Sequence, residues 1–179
     1  MDVGDQQAQM MDFLLKIEQL PFCIWLRESS SIWAFPMFLF MHTLGMSMIA
    51  GVSAVIDLVF LGFWPKTPIK PLERLYPLMW LGFWINAVTG TILTMADAST
   101  RLTNPIFYIK MTFVFAGVAL LSVLRKKVFR DPELDRAPLS GVAKGLAWAS
   151  LLCWLGAITA GRLLAYLGPV SGLSNISNH

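Results

Sequence analysis

The sequence is poor in charged residues and nearly lacks histidine. Only 14% of its 179 residues are charged and 56% are hydrophobic, whereas a soluble domain of ordinary composition carries about 25% charged residues. The composition therefore predicts an integral membrane protein. Histidine occurs only as His42 and His179. With one histidine in its hydrophobic part, a single subunit cannot hold haem between two of its own histidines.

Cysteine is also scarce, and no familiar catalytic pattern stands out. Cys23 and Cys153 are far apart in apolar surroundings, which excludes a CxxC metal motif and argues against a disulfide framework. The chain shows no Ser/His/Asp set and no phosphate-binding glycine loop, so its sequence leaves open whether it is an enzyme. The net charge of +3 is small, and the basic residues flank hydrophobic segments, so no nucleic-acid partner is expected.

Four hydrophobic segments are long enough to cross a lipid bilayer, in which about 20 apolar helical residues span a core about 30 Å thick. We predict spans at about residues 31–64, 75–97, 105–125 and 145–167, all within a single membrane domain, 1–179. Residues 8–29 mix apolar and charged side chains around Pro21, which is typical of an interfacial helix that ends near the proline, followed by a short turn. The predicted fold class is all-α integral membrane, a four-helix transmembrane bundle with an N-terminal interfacial amphipathic helix.

Small and polar residues at helical spacing predict which faces of the spans meet. In the first span one such face should point into the bundle, and it comprises His42, Gly45, Met46, Ile49, Ser53 and Asp57. In the second span a narrow face should pack against the first span, and it comprises Gly82, Asn86, Gly90 and Thr94. Two further pairs of small residues, Ser47 with Gly51 and Ala50 with Ala54, are also spaced to admit a neighbouring helix. We expect the Asp57 carboxylate to extend to the interface, towards Lys66 or Arg74.

Basic residues between the spans predict the orientation of the protein in the membrane. The connections on one side carry Lys66, Lys70, Arg74, Arg125, Lys126, Lys127, Arg130, Arg136 and Lys144. The opposite side carries only Lys16, Arg27 and Arg101. Because basic residues mark the cytoplasmic face, both termini are expected outside, which is the periplasm for a protein of the bacterial inner membrane.

His42 lies near the middle of the first span, where an ionisable side chain is costly and is by default a candidate functional residue. In the predicted orientation, Lys110 and Arg162 lie about 8 Å inside the outer boundary, and His42 lies about 15 Å below it. This arrangement suits haem b, with the imidazole on the iron and the two cations on the propionates. Met46 or Met95 would supply a second axial ligand.

The same residues allow other interpretations. Lys110 and Arg162 lie near helix ends, where long side chains can simply extend to the interface, and His42 could bond to Asn86 or Thr89 and only lock two helices together. Three functions stay open. The first is a b-type cytochrome-like subunit that passes electrons between a periplasmic protein partner and quinone. The second is a non-catalytic membrane anchor or assembly subunit, and the third is a metal-handling or transport protein with His42 as a metal ligand.

Motifs along most of the chain resemble a known family. Residues 33–62 contain, in order, a tryptophan, F-P, H-x-L-G, a run of small residues and D-L-x-x-L-G, followed later by Thr89–Gly90 and by N-P-x-F-x-x-K ending at Lys110. This order resembles an uncharacterised family of small bacterial four-helix membrane proteins, whose members often carry arginine where this chain has Val59. The histidine and the lysine are more distantly similar to those of copper-resistance D-type proteins and haem-binding four-helix protoporphyrinogen oxidases. The resemblance implies a four-helix membrane fold.

Overall fold

The computed structural model describes residues 3–127, 129 and 140–166, and this part of the chain is helical without strands. A 3-10 helix, Lys70–Leu75, precedes the fourth of seven α-helices: α1 (Val3–Glu18), α2 (Pro21–Glu28), α3 (Phe35–Leu61), α4 (Tyr76–Met95), α5 (Ala98–Thr103), α6 (Pro105–Lys127) and α7 (Gly141–Tyr166). Four segments are long and apolar enough to cross a membrane, namely α3, Lys70–Met95, α6 and α7. The predicted all-α, four-span fold class is confirmed.

Prolines and one glycine set several of the helix ends. Helices α2 and α6 begin at Pro21 and Pro105, where the missing N–H of proline costs nothing because that group would have no partner within the helix. Helix α3 ends before Gly62, whose φ of +92° is left-handed and whose N–H donates back to Val59 O at 3.0 Å. The N-terminal segment is therefore two helices that meet at Pro21.

Helix α3 packs against both α4 and α7, and α6 packs on α7. The contact between α3 and α4 is backbone to backbone, since a Cβ on Gly45 would lie 2.7 Å from the Asn86 N and 2.8 Å from the Gly82 O. The face predicted for the second span is the one that meets α3. The expectation for Ser47 and Gly51 is wrong, because both are exposed and a Cβ on Gly51 would meet nothing within 4 Å.

Helices α6 and α7 fit together through two aromatic rings and two glycines. A Cβ on Gly117 of α6 would lie 3.0 Å from the Trp154 ring of α7. Conversely, a Cβ on Gly156 of α7 would lie 2.9 Å from the Phe113 ring of α6. Each helix thus places a ring where the other has no side chain, which allows a close approach in a medium where packing, not the hydrophobic effect, holds helices together.

The distribution of side chains is the reverse of that in a soluble protein. Large apolar residues point outwards, with exposed fractions of 62% for Phe40, 62% for Trp84 and 66% for Phe115. Ser53 and Asp57, by contrast, are fully buried. Apolar side chains on such a surface carry no free-energy cost when they face lipid. In water the same surface would be a large exposed apolar patch, which is unfavourable. The environment that fits the fold is therefore a lipid bilayer.

The N-terminal helices are fastened to the turn between α4 and α5. The carboxylate of Glu18 accepts a hydrogen bond of 2.6 Å from the backbone N–H of Ser99. Arg27 donates to the carbonyl of Ala96 at 3.1 Å and also pairs with Glu18 at 3.5 Å. These bonds place α1 and α2 at the end of the bundle where α4 turns into α5 and α6.

Candidate functional site

His42 lies on the face of α3 that meets α4, and its ring is fixed there by hydrogen bonds. The Nδ1 atom lies 3.1 Å from the backbone carbonyl of Asn86 and 3.3 Å from the Thr89 hydroxyl. A carbonyl oxygen can only accept, so Nδ1 carries the proton of the neutral imidazole. The Nε2 atom then keeps its lone pair, and no residue in the described part of the chain hydrogen-bonds to it.

Asn86 also donates a hydrogen bond to His42. Its side-chain Nδ2 donates to the backbone carbonyl of His42 at 2.8 Å. The Thr89 hydroxyl donates to Ile85 O at 2.6 Å, which leaves its oxygen able to accept from the imidazole. The sequence-based alternative that His42 bonds across helices to Asn86 or Thr89 is thus what the structure shows, and these bonds also orient the ring.

Gly90 makes room for the imidazole. A Cβ at this position would lie 2.9 Å from Cε1 and 3.3 Å from Nδ1 of His42, which is closer than such contacts normally allow. The Cε1–Nδ1 edge of the ring therefore lies against the backbone of α4 at Gly90, one turn beyond Asn86. Gly90 was predicted only to line a packing face, and its specific partner is the histidine.

Two basic residues lie within electrostatic range of His42. Lys110 extends from the second turn of α6 across α7, with its Cε 3.6 Å from where a Cβ on Gly161 would be. Lys110 and Arg101 are both close enough to His42 to interact with it electrostatically. Arg101 also forms a 3.4 Å ion pair with Asp97, whereas Lys110 has no ion pair among residues 3–127, 129 and 140–166. The region around His42 is therefore electropositive.

The other predicted site residues lie elsewhere. Arg162 is exposed, two residues from the buried Ala160 and Leu164 and hence on the opposite side of α7. Met46 is one turn from His42 on the same helix and packs on the core, so it approaches from the same side as the imidazole. Met95 is the last residue of α4, nine residues beyond Asn86 and so about half a helical turn away from its face.

Arg101 is the residue that sequence reasoning missed at this site, because it was counted only as a marker of orientation. The signal was the shortness of the connection between the second and third spans. Arg101 lies in α5, and α6 begins at Pro105, so Arg101 must stay close to the N-terminal end of the third span. Its partner Asp97 is the N-cap residue of the same helix, four residues earlier.

Asp57 contradicts the expectation that its carboxylate extends to the interface. Its exposed fraction is 0%, and it accepts a 3.3 Å hydrogen bond from the Ser53 hydroxyl. No described lysine or arginine pairs with it. The reason is that Asp57 lies one turn beyond Ser53 on the inward face of α3, so its side chain points into the bundle and away from Lys66 and Arg74.

Neither a metal cluster nor a relative supplies a further guide to function. Among the residues that the structure describes, no group of three or more His, Cys, Asp or Glu side chains could hold a metal ion. Comparison of the chain with protein-family models, curated proteins and solved structures finds no match. The candidate site consequently rests on the geometry around His42.

Proposed function

We propose that the protein is a small b-type cytochrome-like subunit of a bacterial inner membrane, which passes electrons between a periplasmic protein partner and quinone. The observation that carries this proposal is the geometry of His42. Its Nδ1–H is held by the carbonyl of Asn86, and its Nε2 makes no hydrogen bond to any described residue. Histidines that bind a metal are usually oriented in this way by a backbone carbonyl or carboxylate on the other ring nitrogen.

His42 is the residue that would hold the iron of a haem, through its Nε2 atom. Bound haem would supply reversible one-electron chemistry, with a potential set by its ligands and surroundings. In this chain Asn86 and Thr89 would hold the imidazole with Nε2 directed away from the bond to α4. The distant resemblance of the histidine and Lys110 to those of haem-binding four-helix oxidases, which is an expectation from the sequence, agrees with this assignment.

Lys110 and Arg101 would hold the propionates. Both lie close enough to His42 to interact with it electrostatically, and a carboxylate beside them would form charge-assisted hydrogen bonds in a medium of low dielectric constant. Arg162 was the partner expected for Lys110, but it points away from the bundle. We therefore assign the second propionate contact to Arg101.

Neither Met46 nor Met95, the two methionines proposed from the sequence, would supply a second ligand to the iron. Met46 lies on the same helix and the same side as His42, and Met95 faces another direction on α4. Neither is placed to approach an iron from the face opposite His42. If a bound haem took a second protein ligand, a residue of a partner subunit would supply it.

A second candidate function is a non-catalytic membrane anchor or assembly subunit. The observation that favours it is the reciprocal bonding between α3 and α4, in which Asn86 donates to His42 O while His42 Nδ1 bonds to Asn86 O. Such bonds between membrane helices stabilise a bundle by about 1 kcal/mol or less each. In that case His42 binds no metal or haem, and its only role is to hold α3 and α4 together.

A reduced-minus-oxidised visible spectrum of the detergent-purified protein tests the proposal, together with two variants. His42→Ala removes the ligand, whereas Asn86→Ala removes the returned bond but keeps the backbone carbonyl that holds Nδ1. We expect a b-type spectrum in the wild type and in Asn86→Ala, and its loss in His42→Ala. A colourless wild type whose two variants lose thermal stability equally would favour the anchor.

A further inference from the structure

A second polar cluster lies inside the bundle, between α3 and α7. The Ser53 hydroxyl is its centre, at 3.3 Å from Asp57 Oδ2, 3.2 Å from the Ser150 hydroxyl and 3.0 Å from Trp154 Nε1. Ser53, Asp57 and Ser150 are all fully buried. Asp57 is four residues from the end of α3, so the cluster begins about 6 Å inside that helix end.

The hydrogen bonds available to Asp57 do not suffice for a charge. An ionised carboxylate has room for about four donors, but Asp57 Oδ1 is buried without any hydrogen-bond partner in the described structure. Oδ2 accepts a hydrogen bond from the Ser53 hydroxyl, and the Ser150 hydroxyl also interacts with the carboxylate. A charged carboxylate removed from water with only neutral hydroxyl donors, and with no cation paired to it among the described residues, is far more costly than a neutral carboxyl group.

The same four side chains form a consistent set of bonds when Asp57 is protonated. Oδ2–H then donates to Ser53 Oγ, which also accepts from the Trp154 N–H and passes its own proton to Ser150 Oγ. In the ionised state the direction reverses, with Ser150 donating to Ser53 and Ser53 donating to Asp57. The hydroxyls of the two serines can therefore follow the gain or loss of a proton without any movement of the helices.

We propose that Asp57, Ser53, Ser150 and Trp154 form a proton-binding site within the membrane part of the bundle, neutral at physiological pH. The reaction is the reversible addition of one proton to the Asp57 carboxylate, and no other bond changes. The proposal stands independently of whether His42 binds haem.

Among the residues that the structure describes, few other ionisable groups face this site. From α4, Tyr76 is close enough to interact electrostatically with Asp57, but its hydroxyl donates to the carbonyl of Leu121 at 3.4 Å. From α6, Arg125 lies 5.5 Å above the Tyr76 ring and pairs with Glu73 at 3.4 Å. The described part of α7 adds only Ser150 and Trp154 to the hydrogen bonds of the cluster.

Tyr76 also faces a cavity. It lines a cavity of about 280 Å³ between α4 and α6, together with Glu73 and Arg125. Asp57, Ser53, Ser150 and Trp154 do not line this cavity.

Infrared difference spectroscopy of the purified protein tests the site directly, because a protonated carboxyl group has a carbonyl band separate from that of carboxylate. We expect one such band at neutral pH, which shifts in D₂O, decreases on raising the pH and disappears in Asp57→Asn. Glu73→Gln, which removes an exposed carboxylate near the same end of the bundle, should leave the band unchanged. Should Asp57→Asn fail to fold, Ser53→Ala is expected to shift the frequency of the band.

Three results would overturn the proposal. Absence of the band at neutral pH would mean that Asp57 is ionised. A band insensitive to both D₂O and alkaline pH would mean a permanently protonated structural group. Loss of the band when sodium chloride replaces choline chloride would mean that the oxygen atoms of Asp57, Ser53 and Ser150 bind sodium ion in place of the proton.

Discussion

The imidazole of His42 depends on a missing side chain as much as on its hydrogen bonds. Asn86 and Thr89 hold one edge of the ring, and Gly90 leaves the space in which the ring lies. Any side chain at position 90 would compete with the imidazole for that space. The site is therefore more sensitive to a change on α4 than its list of hydrogen-bonding residues implies.

The variant Gly90→Ala is expected to displace the imidazole, since the new methyl group would lie 2.9 Å from Cε1. Overpacking of this kind costs about 1–3 kcal/mol, so the midpoint of thermal unfolding in detergent should fall, and the haem spectrum should weaken. Gly51→Ala is the matched control, because its methyl group would enter open space and alanine favours a helix by about 1 kcal/mol. Equal loss of stability in both variants would contradict the role given to Gly90.

The inward face of the first span could be predicted from the sequence, because the 3.6-residue period fixes which side chains share a face. The partners across that face could not. Asp57 and Ser53 are four residues apart on α3, so their proximity follows from the helix itself. Ser150 and Trp154 come from the last span, and whether they approach α3 depends on how the helices are arranged in the bundle. The position of Arg101 could not be predicted either, because it depends on how the chain turns between α4 and α6.

At the scale of elements, α1 and α2 are held to the bundle by few contacts. Glu18 is the main connection, because it accepts from the Ser99 N–H at 2.6 Å and pairs with Arg27. Leu26, Ala34 and Ala96 add a small buried contact beside it. A change at Glu18 should therefore act on the N-terminal helices and leave the four spans intact.

We expect Glu18→Ala to increase hydrogen–deuterium exchange in α1, α2 and α5 without changing exchange in α3, α6 or α7. The physical reason is that the Ser99 N–H and Arg27 lose a buried acceptor, at a cost of about 1–3 kcal/mol. Asp12→Ala is the control, since its pair with Lys16 is 2.7 Å long but solvent-exposed, and exposed pairs contribute about 0–1 kcal/mol. Unchanged exchange in Glu18→Ala would show that apolar contacts alone hold these helices.

The helices themselves were predictable because hydrophobic length, proline and glycine determine where a membrane helix begins and ends. Their arrangement was less so. The central position of α3 between α4 and α7 follows from where glycines meet backbone and rings, and hydropathy does not specify which of several small-residue faces will be used. Ser47 and Gly51 have the expected spacing yet face outwards.

For the whole molecule, the orientation in the membrane remains a prediction from the basic residues, and cysteine labelling can test it. Cys23 and Cys153 would first be replaced by serine, and Ser30→Cys and Thr67→Cys introduced singly at exposed positions of opposite connections. With both termini in the periplasm, a membrane-impermeant maleimide should label Ser30→Cys in intact bacterial cells and Thr67→Cys only after lysis. The reverse pattern would place both termini in the cytoplasm.

The tight contacts at glycine also bear on how distant relatives of this chain can be recognised. At five positions a single methyl group would lie 3.0 Å or less from a neighbouring helix: Gly45, Gly82, Gly90, Gly117 and Gly156. The lipid-facing positions between them can exchange one apolar residue for another freely, so overall identity between homologues should decay quickly. The spacing of these glycines relative to the histidine and to Asp57 should decay last, and it would serve as a search pattern where comparison of whole sequences fails.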